Sequence, residues 1–264
     1  MHNDDLPIGR VLDRREALKL MAAGGAVILV GCQRTPPSTS ASTVTTGSPP
    51  GSSPATTASR SIPGCVVRPA EMEGPYFVDN QLNRSDIRSD PTTGVASAGT
   101  PLVVAFNVSR MSGGQCSPLA GATVDVWHCD AEGIYSGVTD TDVGFNTVGK
   151  KFLRGYQVTD ANGVARFTTI YPGWYPGRTV HIHFKIRTPA ASGKRYDFTS
   201  QLYFDEALND KVLAEPPYNS KGRRNTLNTS DGIFRQGGGD QLTLKVAQAG
   251  TGYTSTFDIG LDIA

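Results

Sequence analysis

The chain has 264 residues, a formal net charge of +1, 38% hydrophobic residues and 30 glycines. Near-neutral charge, with no basic cluster interleaved with aromatics, leaves no footing for nucleic-acid binding. The length admits one domain with a sizeable core after a leader and a linker, and all-β folds of that size commonly stay undivided.

At the N-terminus, Arg14-Arg15-Glu16-Ala17-Leu18-Lys19 precedes an uncharged run ending at Val30, too short to span a bilayer as a mature helix. It reads as a signal peptide. The paired arginines point to twin-arginine (Tat) export, although Ala17 stands where that motif usually carries Phe. Leu29-Val30-Gly31-Cys32 resembles a bacterial lipobox, implying cleavage before Cys32 and lipidation there. The mature chain is then expected to be extracytoplasmic and membrane-anchored through Cys32, with plain secretion as the alternative. Residues 1–32 form the leader in this reading. Residues 33–63 are Ser, Thr, Pro and Gly with almost no large apolar side chain, a composition unable to offset its ordering entropy. They are expected to be a disordered linker, and residues 64–264 the folded domain.

Within that domain the periodicity is that of strands. Residues 102–108, 122–127, 156–159, 164–170, 180–186, 200–204, 241–247 and 253–259 are short, rich in β-branched and aromatic residues, and separated by Gly, Asp, Asn or Pro. No long amphipathic helix competes. The expected fold is all-β, an antiparallel β-sandwich with long loops, or a closed barrel. Asp160-Ala161-Asn162-Gly163 is a turn signal and predicts a hairpin between the strands on either side. Residues 205–228, polar and proline-containing, read as a surface excursion. With Cys32 set aside, Cys65, Cys116 and Cys129 remain. A strand between Cys116 and Cys129 holds them too far apart to pair, which leaves Cys65 with Cys129 as the expected disulfide.

The stretch 171–184, YPGWYPGRTVHIHF, concentrates the chemistry. On a strand, His181 and His183 point to one face about 6–7 Å apart, within reach of one metal ion, and Ile182 points away. Two half-buried polar residues would give the same pattern. Tyr175 just upstream offers a phenolate, a hard anionic donor suited to a trivalent ion, and Arg178 adds a nearby cation.

Three motifs in order carry a resemblance. Trp127-x-x-Asp130-x-x-Gly133-x-Tyr135 comes first, and residues 155–176 follow with Thr159-Asp160, Gly163, Phe167, Thr169-Ile170, Pro172-Gly173 and Tyr175-Pro176. Arg178-x-x-His181-Ile182-His183-Phe184 completes the set, with Glu73-Gly74-Pro75-Tyr76-Phe77 and Gln201-Leu202-Tyr203-Phe204 matching on either side. Together they resemble the intradiol ring-cleaving dioxygenases over essentially all of the chain from Cys65 onward. The resemblance implies one non-haem Fe(III) per chain, with Tyr135, Tyr175, His181 and His183 as ligands. It implies a catechol-type substrate cleaved with O2 to a muconate-type diacid, Tyr175 as general base and Arg178 stabilising developing charge. Gln201 would be Arg178's polar partner and Tyr76 would line the pocket mouth. His128 would back Tyr135 or serve the fold. Two departures touch specificity: the spacing from Tyr175 to His181 is short for the protocatechuate enzymes, and Gly177 stands where those often carry tryptophan. The helical dimerisation segment of the catechol and hydroxyquinol enzymes has no counterpart, which leaves the oligomeric state open. The competing class is an extracytoplasmic β-sandwich that binds a metal or an aromatic without turnover; a hydrolase or a zinc or copper site finds no supporting motif.

Overall fold

The computed structural model describes residues 66–188 and 196–263. The leader, Cys32, the 33–63 linker and Cys65 lie outside those residues. Among the described residues eleven strands form: β1 (Pro101–Ser112), β2 (Gln115–Pro118), β3 (Thr123–Trp127), β4 (Thr139–Asp140), β5 (Phe145–Asn146), β6 (Arg154–Val158), β7 (Val164–Ile170), β8 (His181–Arg187), β9 (Asp197–Tyr203), β10 (Val246–Ala249) and β11 (Gly252–Asp262). Three short helices follow β9, namely α1 (Glu206–Leu213), α2 (Gly232–Gly237) and α3 (Gly239–Leu242), with a 3-10 turn at Tyr218–Lys221 between the first two.

The strands build two large sheets. One runs β10-β11-β1-β2, with β7 also paired to β1, and the other runs β6-β3-β8-β9. All pairs are antiparallel except β1 with β11, which run parallel with Leu102 opposite Tyr253. Between the sheets, Phe106 of β1 meets Phe184 of β8 at 5.3 Å between ring centroids, and Phe257 of β11 meets Phe184 at 5.5 Å. Phe106, Phe167 and Phe184 are fully buried, each stabilising the sandwich by roughly 1.5–3 kcal/mol. The central strands β3 and β8 therefore have one face in the core and the other free to carry polar side chains.

Three expectations are corrected. The turn at 160–163 does not close a hairpin: β6 pairs with β3 and β7 with β1, so the chain crosses from one sheet to the other. Val108 N–H donates to Gly163 O, and Thr159 N–H to Ala122 O, so each end of the turn is held by a different sheet. The 205–228 segment is structured. Asp205 caps α1 by accepting from Ala207 N–H and Leu208 N–H, Val212 and Leu213 are buried, and the fully buried Tyr218 donates its hydroxyl to Tyr171 O. Residues 241–247 contain the end of α3 and only the start of β10.

The disulfide expectation also fails at Cys129. Cys116 is disulfide-bonded, whereas Cys129 is a buried free thiol, 1% exposed, that donates weakly to Gly173 O at 3.5 Å. It is packed with Trp127 and Tyr135 in a small apolar cluster, where no partner sulfur reaches it. Burial pushes its thiol well above the usual range. A thiol reagent should accordingly leave Cys129 unmodified in the folded protein and label it after unfolding. Peptide mapping that finds Cys129 labelled in the folded protein would refute this packing.

Candidate metal centre

The open face of the β3-β8-β9 region carries the site. Trp127 of β3 lies opposite His183 of β8, and Gln201 and Tyr203 of β9 lie opposite His183 and His181. Strand alternation sends both imidazoles to one face, where they are 2% and 1% exposed. The His183 ring is clamped from two sides. Trp127 stacks on it at 5.0 Å with 7° between the planes, and Gly74, at φ +73°, passes so close that a Cβ there would lie 3.3 Å from His183 Cε1. Only glycine meets both the left-handed backbone and that approach.

Two loops bring the tyrosines. Tyr135 follows β3, with its ring 1% exposed; Tyr175 precedes β8 and is half-buried. The loops are stitched together by Gly173 N–H donating to Asp130 O at 3.0 Å. Asp130 Oδ1 meanwhile accepts from Glu132 N–H and Ile134 N–H, and Lys221 Nζ donates to the carbonyls of Trp174 and Glu132. Buried Arg154 of β6 adds a third tie, donating to Tyr76 O at 2.6 Å and to Ser136 O at 2.9 Å.

Four donor atoms converge. His181 Nε2 lies 3.0 Å from His183 Nε2, 3.1 Å from Tyr175 Oη and 3.4 Å from Tyr135 Oη. His181 Nδ1–H donates to Thr179 O at 2.6 Å, which fixes the tautomer and leaves Nε2 a bare lone pair. One lone pair accepts one proton, so three neighbours at hydrogen-bond distance exceed what it satisfies. A single cation with bonds of about 2.0–2.2 Å spans donor pairs roughly 3 Å apart, and the set fits one. Burial holds both imidazoles well below their usual pKa, the neutral form a metal requires. Burial also pushes both phenols upward, so each stays protonated until a cation draws the proton off. Among the described residues no three His, Cys, Asp or Glu side chains gather. Phenol and imidazole alone make the cluster, a donor set for a hard trivalent ion rather than for thiolate-bound zinc.

Around this point the other expected residues also gather. Arg178 Nε donates to Asp231 Oδ2 at 2.9 Å and its Nη2 to Gln201 Oε1 at 2.5 Å. Tyr76 stacks on Tyr135 with centroids 4.4 Å apart, sits edge-on to Tyr175 at 6.1 Å, and donates its hydroxyl to Asp140. His128 is fully buried with both ring nitrogens engaged, Nδ1–H donating to Cys129 O and Nε2 accepting from Thr169 Oγ1, each at 2.7 Å. It serves the fold. Asp130 stands in the motif from Trp127 to Tyr135, whereas Asp231, Arg154, Lys221 and Glu71 escaped the reading of the sequence; of these only Asp231 carried a signal, as the residue before a Gly-Ile-Phe helix start.

Comparison with known proteins agrees with this arrangement. A family model described as dioxygenase matches residues 72–261. An intradiol ring-cleavage dioxygenase from Tetranychus urticae is 32% identical, with a TM-score of 0.65 over 75% of this chain and 95% of that one. The dioxygenase domain of a dioxygenase carbohydrate-binding protein fusion from Streptomyces sp. SirexAA-E is 33% identical, with a TM-score of 0.53 over 75% of this chain and all of that domain. A chlorocatechol 1,2-dioxygenase from Pseudomonas putida is 28% identical over 152 residues, 51% of this chain and 52% of the relative. The chain spans about half the length of the curated relatives it matches.

Proposed function

The chain belongs to the intradiol ring-cleaving dioxygenases, and from that premise we propose that it cleaves catechol-type aromatics with O2 between the two hydroxylated carbons, using one ferric ion held by Tyr135, Tyr175, His181 and His183. The observation that carries the proposal is the meeting of His183 Nε2 and two phenol oxygens within 3.0–3.4 Å of His181 Nε2.

Bound ferric iron would supply a Lewis acid for a chelating catecholate, drawing electron density from its ring and opening a ring carbon to O2. The protein's own groups do the rest. Tyr175 is the less deeply buried residue of the pair, so its oxygen is the one placed to take a proton from an incoming catechol hydroxyl. Tyr135 is sealed under Tyr76 and stays in place. Arg178, oriented by Asp231 and Gln201, holds a fixed cation beside the reacting ring where negative charge develops. Trp127 and Gly74 keep water from the back of His183.

We place the mature protein outside the cytoplasm, anchored through Cys32 or secreted. The disulfide at Cys116 supports an oxidising compartment.

The deciding experiment is the visible spectrum of the iron-loaded protein before and after catechol is added under air. The expected result is a reddish tyrosinate-to-iron band that shifts with catechol and recovers as a muconate-type product absorbs in the ultraviolet. A band with no product from any catechol would leave a binding module. A colourless, metal-replete protein would overturn the ferric reading.

A further inference from the structure

Glu71 is a half-buried residue whose carboxyl the mechanism above does not use. Its backbone N–H donates to Thr199 O, placing it against β9, and its Oε2 accepts the Tyr203 hydroxyl at 2.6 Å. Its Oε1 is buried with no partner, facing Gly237 of α2 so closely that a Cβ there would lie 2.3 Å away. The same Tyr203 hydroxyl lies 3.2 Å from Gln201 Oε1, the atom that accepts from Arg178. Gln201 cannot turn its amide, because Nε2 donates to Met72 O at 3.1 Å.

Tyr203 therefore has one proton and two acceptors. A carboxylate outcompetes an amide oxygen for it, and the shorter contact is to Glu71. With Glu71 ionised, the proton points at Oε2 and Gln201 Oε1 is left to Arg178 alone. With Glu71 protonated, the carboxyl O–H donates to Tyr203 Oη, and the tyrosine proton turns to the second lone pair of Gln201 Oε1, so the carbonyl is shared between two donors and its hold on the guanidinium weakens.

We propose that Glu71, acting through Tyr203, is a positioning residue that reserves the Gln201 carbonyl for Arg178 and so sets the guanidinium beside the substrate ring. The charged and titratable groups facing Glu71 are Tyr203 from β9, Arg178 from the loop before β8 and Asp231 from the N-cap of α2. Burial raises the Glu71 carboxyl to about 7, with Tyr203 and Arg178 lowering it and Asp231 raising it. The change of direction falls near neutral pH, the carboxylate state holding above it.

The inference rests on the ring-cleaving assignment, so its test has one part that does not depend on turnover. In the iron-free protein, the Gln201 side-chain amide resonances are followed by NMR across neutral pH. They should titrate with a midpoint near that of Glu71, and the titration should vanish in Glu71→Gln and in Tyr203→Phe. In the iron-loaded enzyme, kcat should rise through the same midpoint in the wild type. Glu71→Gln should flatten that limb and lower kcat by about fivefold to tenfold at its upper end, the scale of one misdirected hydrogen bond, with KM moved by less than about twofold. Gly237→Ala, whose Cβ displaces the carboxylate while both Glu71 and Tyr203 stay in the sequence, should flatten it as well. An amide that does not titrate, one that still titrates in Glu71→Gln, or variants with the wild-type pH profile would each overturn the proposal. Should the wild type cleave no catechol at all, the ring-cleaving assignment falls, while the amide titration still decides whether Glu71 governs Gln201.

Discussion

Tyr135→Phe should abolish ring cleavage and strip most of the iron while leaving the fold intact. The ring is 1% exposed and stacked under Tyr76, and phenylalanine keeps both the volume and the stacking. What it removes is one anionic oxygen from a set whose other members are one phenol and two neutral imidazoles. Two phenolates offset two of the three charges of a ferric ion; one leaves the buried site strongly cationic, and the ferric state loses its preference. Loss of an outer partner of a metal ligand costs about 10–100-fold in affinity, and loss of the ligand itself should exceed that. His183→Ala should act in the same direction but also opens a void against Trp127, so its thermal stability should fall where that of Tyr135→Phe does not. Iron per chain, catechol turnover and the melting temperature of the iron-free protein measure the three effects separately. An active, iron-replete Tyr135→Phe protein would remove Tyr135 from the ligand set.

The same cluster makes the iron-free state tolerable. Burial keeps the phenols protonated and the imidazoles neutral, so no charge is stranded in the site when the ion leaves. Loading of a ferric ion would then release a proton from each phenol. Affinity for iron should therefore rise with pH.

How legible this was depends on the range of the interaction. The bounds of β7 agree with the alternation expected at 164–170, and His181 and His183 share a face for the reason their spacing predicts. Alternation states which residues face inward, however, and not which sheet receives the strand. Asp160-Ala161-Asn162-Gly163 reverses the chain equally well into a hairpin or across the sandwich, and packing of β7 on β1 decides for the crossing. The 205–228 segment reads as an excursion because its helix is only eight residues long and its buried face, Asn209, Val212 and Leu213 at helical spacing, begins on a polar residue, leaving too little apolar stripe to stand out. Around the metal centre, the donors are clustered in sequence and readable. Their supports are not. Asp231 reaches Arg178 across 53 residues and Glu71 reaches Tyr203 across 132; a helix start marks Asp231 as a cap, but nothing in the sequence ties either acid to its distant partner.

Arg178→Ala should retain iron and its visible band yet slow turnover by about 100-fold or more, the scale of losing a preorganised charge. Retention follows from what the substitution leaves behind. Asp231 Oδ2 still accepts from Thr179 N–H at 2.8 Å, and Thr179 O still accepts from His181 Nδ1, so the imidazole keeps its orientation and its tautomer. Slow turnover follows from what is lost. The guanidinium is held at two points, its side chain is 15% exposed, and no other described cation donates to Gln201 Oε1. Burial alone would lower its pKa, but Tyr175, Asp231 and Tyr203 more than offset that and hold it above the ordinary value. It is a cation at every working pH and contributes no limb of its own to a pH profile. Arg178→Lys would keep the charge but not the fork that reaches Asp231 and Gln201 together, and should recover only part of the rate. Asp231→Asn is the less informative change, because the same carboxylate caps α2 through Ile233 N–H and Phe234 N–H and supports Thr179. A split in which iron stays and kcat falls assigns Arg178 to the reaction; unchanged kinetics would make it a brace between Asp231 and β9.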